Sequence, residues 1–119
     1  MRAHTFPRVF RLRRQADFDR IHRENVFAAD DMLVIKASAT PLPHSRIGIS
    51  ISRQVGNAVV RNRWKRIVRE AFRHQRDQMP PGLDLVIRPR RGAVPQLAPI
   101  QRSLVSLARR LRKRIQEPR

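Results

Sequence analysis

The chain has 119 residues, with 27 Lys and Arg against 9 Asp and Glu, so its formal net charge is +18 and its pI is about 12.0. That length suits a single domain, 1–119, with a modest core. Cysteine is absent, which excludes disulfides, thiolate zinc sites and cysteine nucleophiles, and no apolar run approaches the ~20 residues of a membrane span.

Residues 1–14 carry Pro7 and the cations Arg8, Arg11, Arg13 and Arg14. They lack the apolar stretch of a secretory signal and read as a basic, extended arm. Phe6, Val9, Phe10 and Leu12 give the arm side chains that can pack. Gln15 to about Glu24 has the mixed charge and rough apolar side of a short helix, with Phe18 turned to a core. Val26–Ala28 is a short edge piece. Met32–Ala39, rich in Leu, Val and Ile, is a strand. Arg46–Arg53 alternates Ile47, Ile49 and Ile51 with Gly48, Ser50 and Ser52, so it is a strand with one core face. Its small-residue face is expected to floor a groove.

A long helix follows. Gly56 allows a tight bend, and Asn57 is a good N-cap because its side-chain oxygen accepts from free first-turn amides. No Gly or Pro intervenes before Pro80, so the helix is expected to reach about Gln78. At about 100° per residue, Val60, Trp64, Ile67, Val68, Ala71 and Phe72 share one side. Arg61, Asn62, Lys65, Arg66, Arg69, Arg73 and Arg76 share the other, Arg63 flanks it, and Val59 is out of pattern. Only Glu70 interrupts the cations. Like charges repel, so such a face costs stability unless a polyanion meets it. That pattern favours nucleic acid over a merely solvated face.

Pro80-Pro81-Gly82 is a stop signal. Leu83–Arg88, nearly all apolar, is expected to be a central strand, and Pro89-Arg90-Arg91-Gly92 a basic turn. Pro99 to about Gln116 is the last helix, with Pro99 at its first helical position and Ile100, Leu104, Leu107, Ala108, Leu111 and Ile115 as its stripe. The basic residues near its end also suit the helix dipole. The fold class is therefore α/β: an α+β sandwich with a small mixed sheet of three to four strands packed with three helices. No protein active site is visible. Carboxylates are few, Asp30-Asp31 read as a polar loop, and the four histidines lack ligand spacing.

The run Val55-Gly56-Asn57-Ala58-Val59-Val60-Arg61-Asn62-Arg63-Trp64-Lys65-Arg66 resembles the signature of the bacterial ribonuclease P protein subunit. Arg11-Leu12-Arg13-Arg14 followed by Asp17-Phe18, and the strand ending Ser50-Ile51-Ser52, support the resemblance. It implies a left-handed βαβ crossover, a catalytic RNA subunit as partner, and precursor tRNA bound through its single-stranded 5′ leader. It further implies that Mg²⁺ is held by that RNA, with no cofactor bound by the protein. By resemblance, Arg61, Asn62, Arg63, Lys65, Arg66 and Arg69 contact the RNA subunit. Arg11, Phe18, His22, Ile35 and Arg53 belong to a leader-binding cleft. His22 and Ile35 stand where relatives often have aromatic rings, and the chain has no tyrosine, so this cleft is expected to rely more on charge than on stacking. The implied location is cytoplasmic, which the missing cysteine suits. Competing classes are a ribosomal-type or packaging protein that binds nucleic acid without processing it, and a protein-only ribonuclease.

Overall fold

The computed structural model describes residues 6–116. Three helices, α1 (Gln15–Glu24), α2 (Ala58–His74) and α3 (Leu97–Gln116), pack on a sheet of β1 (Val26–Ala29), β2 (Leu33–Ala39), β3 (Arg46–Ile49) and β4 (Leu83–Pro89). The strand order is β1-β2-β4-β3. β2 pairs antiparallel with β1 and β4, while β3 runs parallel to β4 with Ile47 opposite Leu85. The mixed sheet, central β4 and edge β1 match the sequence reading. α2 is the crossover that joins the parallel neighbours β3 and β4.

The two sheet faces carry different cores because side chains alternate along a strand. Leu33, Ile35, Ala37, Leu85, Ile87 and Ile47 meet Trp64, Val68, Ala71 and Phe72 of α2 and the Ile100–Leu111 stripe of α3. On the other face, Leu12, Ile21 and Val86 form a smaller cluster with Phe18 of α1. An ionic clamp also holds α1. Asp84 is fully buried on β4, and its carboxylate accepts from Arg20 Nη2 at 2.6 Å and from Arg46 Nε at 2.8 Å. Asn25 ends α1 in the left-handed conformation (φ 53°), with its amide donating to the Ile21 carbonyl.

Four boundaries depart from expectation. The arm is not simply extended. Residues 1–5 of it lie outside the described residues, and Arg8–Phe10 form a 3₁₀ turn. Phe6 and Phe10 pack against Phe72 with ring centroids 5.7 Å away in each case. The arm then wraps the edge of β3, where the Leu12 amide donates to the Ile47 carbonyl at 2.9 Å. It thereby covers backbone groups that an open edge would leave unpaired. β3 stops at Ile49 rather than Arg53, because Ser52 Oγ accepts from the Gln54 amide and starts a 3₁₀ turn, Arg53–Val55. α2 ends at His74, and winding continues as a 3₁₀ turn over Arg76–Gln78 that delivers Met79 to the core. α3 begins at Leu97, so Pro99 is two residues inside it, within the first turn whose amides need no helical acceptor.

Candidate nucleic-acid interface

α2 starts as its sequence dictates. Asn57 Oδ1 accepts from the Val60 amide at 3.0 Å, which caps the helix. Gly56 is required by close approach: a Cβ there would lie 2.9 Å from Cβ of Val60. Trp64 is only 1% exposed and anchors the inner side with Val68, Ala71 and Phe72. The outer side then points away from the sheet. Asn62, Arg63 and Arg66 are exposed, and Arg61, Lys65 and Arg69 are half-buried.

The charges on this side are not neutralised from within. Among the described residues, Arg61, Arg63, Lys65, Arg66 and Arg69 form no ion pair. Glu70 is engaged by Arg73 at 2.5 Å and by His74 at 3.0 Å. The hydrogen bond from Arg73 holds the Glu70 carboxyl below its ordinary range, against a small opposing effect of burial. Arg61 has a second task that its position in the motif does not reveal. Its Nη1 donates to the Gly56 carbonyl at 2.9 Å and ties the helix back to the turn that launches it. Val59 is 73% exposed, an apolar side chain at the start of a cationic surface.

Two clefts flank this surface. The larger, about 560 Å³, is lined by Phe6, Arg11, Asn62, Lys65, Arg66, Ile67, Arg69, Glu70, Arg73 and Leu97. The smaller, about 220 Å³, lies between the arm, α1 and β3, and includes Arg11, Arg13, Phe18, Gly48, Lys65 and Arg69. Arg11, Lys65 and Arg69 line both, so the two clefts meet along the arm. Phe18 is half-buried, and its ring lies over Gly48, where a Cβ would come within 2.6 Å of Phe18 Cζ. Gly48, from the small-residue strand face, thus lines the smaller cleft with the Phe18 ring packed against it.

The five residues assigned to a leader cleft do not converge. Arg11 and Phe18 line the smaller cleft. His22 is exposed on α1, with Nδ1 3.4 Å from Lys36 Nζ. Arg53 is exposed in its 3₁₀ turn and lines neither cleft. Ile35 does not belong to the surface at all. It is fully buried between the sheet and α2–α3, because β2 alternates and Leu33, Ile35 and Ala37 take the core side. Its neighbour Lys36 faces α1 instead. A one-residue shift along a strand exchanges the faces, and Lys36 is a cation on the α1 side that the sequence reading did not single out. Counting the alternation outward from buried Leu33 identifies it.

Asp30 behaves as a structural residue. Its Oδ1 accepts from the amides of Met32 and Leu33 at 2.8 and 3.0 Å. Burial would raise its pKa, but hydrogen bonds from Ser103 and those two amides, with the Arg110 charge, hold it below the usual carboxylate range. Among the described residues, no group of three or more His, Asp or Glu side chains is arranged to hold a metal ion. Nor is any helix long and apolar enough to cross a membrane.

The chain is similar in sequence and architecture to ribonuclease P proteins. A family profile described as Ribonuclease P matches residues 6–112. The ribonuclease P protein component of Brevibacillus brevis is 37% identical over 113 residues, covering 93% of this chain and 90% of the relative. That of Thermotoga maritima is 38% identical over 87 residues, covering 73% and 74%. The solved structure of the RNase P protein from Thermotoga maritima superposes with a TM-score of 0.76 at 32% identity, over 84% of this chain and 96% of that one. The Staphylococcus aureus RNase P protein gives a TM-score of 0.72 at 31% identity, over 84% and 93%. The chain with the capped cationic helix belongs to the ribonuclease P protein family.

Proposed function

We propose that this chain binds the catalytic RNA of ribonuclease P through the outer side of α2 and assists removal of the 5′ leader from precursor tRNA. Arg61, Asn62, Arg63, Lys65, Arg66 and Arg69 meet the RNA subunit, and Arg11 and Phe18 meet the leader in the smaller cleft. The bond-breaking chemistry, and the Mg²⁺ that supports it, belong to the RNA. The protein's share is to place positive charge against two RNA strands that would otherwise repel, which lowers the Mg²⁺ needed for their assembly. The observation that carries this reading is a helix face on which Arg61, Arg63, Arg66 and Arg69 have no carboxylate partner among the described residues. A surface built for folding alone would pair them.

The leader strand has one aromatic seat, Phe18, where a base can stack. His22 and Lys36 lie 3.4 Å apart on the α1 side of the sheet, so the rest of the contact is charge and hydrogen bonding. The test is cleavage of precursor tRNA by the cognate catalytic RNA at low Mg²⁺, with and without the protein. Stimulation supports the reading, and its absence refutes it. Equal affinity for duplex DNA and for the catalytic RNA at matched salt would point instead to a general nucleic-acid binder.

A further inference from the structure

Arg11 and Arg69 belong to different parts of the chain, and sequence reasoning gave them different partners. The fold puts them on one notch, at the junction of the two clefts. Arg11 is fixed there by its backbone, which bridges to Ile47 at the edge of β3. Its guanidinium carbon sits 5.6 Å from the centre of the Phe6 ring, which supports the group from one side. Arg69 comes from the fourth turn of α2 and is half-buried. Neither arginine has a carboxylate partner among the described residues.

Two independent signs mark the notch as incomplete. Arg11 Nε is buried and has no hydrogen-bond partner. A buried charged donor left unpaired is costly, and native proteins seldom leave one so. Burial, and then the nearby Arg11 charge, also push the Arg69 guanidinium below its ordinary pKa. Two cations facing each other in a partly dry notch want an anion between them.

We infer that Arg11 and Arg69, with Lys65 beside them, grip a single phosphodiester of the RNA that meets α2, joining the motif helix and the N-terminal arm through one shared phosphate. The inference rests on the proposed RNA-binding role. Arginine suits it, since its planar fork can offer two parallel N–H groups to one phosphate. The arm is then part of the RNA-subunit footprint, not only of the leader cleft.

A double-mutant cycle tests this with the full-length protein and the cognate ribonuclease P RNA. Arg11→Gln and Arg69→Gln are each expected to weaken binding about tenfold, and the double variant by little more than either, because both act on one phosphate. Arg63→Gln combined with Arg69→Gln is expected to be additive, at about a hundredfold. Additive losses for the Arg11 and Arg69 pair would overturn the shared phosphate while leaving RNA binding by α2 intact. If the unaltered protein does not bind the RNA, the broader reading fails first. Thermal unfolding is followed in parallel: each single variant is expected to unfold no earlier than the parent at low salt, since it removes one of two repelling cations. If Arg11→Gln loosens the arm, Arg11→Lys, which keeps charge and stem but loses the fork, replaces it in the cycle with the same expected non-additivity.

Discussion

Arg63 and Trp64 are adjacent on α2, one exposed and the other buried, so replacing each by Ala separates recognition from folding. Trp64 is 1% exposed among Val68, Ala71 and Phe72. Its removal opens a large cavity, with an expected cost of about 3–5 kcal/mol. For a chain of this size 1 kcal/mol moves Tm by roughly 3–5 °C, so Trp64→Ala should melt ~10 °C or more below the parent. Arg63 is exposed, and among the described residues its side chain forms no hydrogen bond or ion pair. Arg63→Ala should change stability by no more than about 0.5 kcal/mol, within ~2 °C. Its effect belongs in the salt dependence of binding. If Arg61, Arg63, Lys65, Arg66 and Arg69 each neutralise one phosphate, the plot of log K against log salt has a slope of about −4 to −5. Arg63→Ala should reduce that slope by about one and weaken binding roughly tenfold near physiological salt. The assay is filter binding of the cognate RNA at several salt concentrations, with melting followed by circular dichroism. If Arg63→Ala melts as early as Trp64→Ala, or leaves the slope unchanged, the reasoning is wrong.

Other outcomes follow from the same geometry. Gly56→Ala sets a Cβ 2.9 Å from Val60 and should cost about 1–3 kcal/mol, read by thermal melts. Asn57→Ala removes the cap on the Val60 amide and should cost about 1 kcal/mol. Asp84→Ala leaves Arg20 and Arg46 without their buried acceptor; about 2–4 kcal/mol is expected, and urea melts measure it. Asp30 titrates lower when folded than when unfolded, so its contribution is full above its unfolded pKa of about 3.9 and is lost as pH falls through the lower folded value. The melting difference between the parent and Asp30→Asn should therefore be present at pH 6 and shrink on acidification below about pH 4.

What could be read from the sequence was local. The Asn57 cap and the Trp64 stripe depend on spacing within a few residues, and both stand in the structure. The strand placements held because the apolar runs of β2 and β4 exceed anything a loop needs. The failures involve register and distance. Ile35 and Lys36 are one residue apart, and choosing between them needs the strand's phase, which only the buried neighbours on α2 and α3 fix. The arm's docking depends on Phe6 and Phe10 meeting Phe72 across more than sixty positions, and no periodicity reports such a contact. The end of α2 was set by the same cluster. Arg76 lies over the Phe10 ring at 4.7 Å and Met79 turns inward, so the chain tightens before Pro80 requires it. Arg11 shows the consequence for function: its motif neighbours hinted at a role, but only the fold placed it beside Arg69.

The α2 claim is tested most directly by moving the same loss of charge to another face. Arg63→Ala with Arg66→Ala removes two exposed cations from α2, and Arg102→Ala with Lys113→Ala removes two exposed cations from α3. With cognate ribonuclease P RNA at fixed salt, the α2 pair should lose affinity by at least about tenfold more than the α3 pair, while both melt like the parent. Equal losses would mean that total charge, not this helix, holds the RNA.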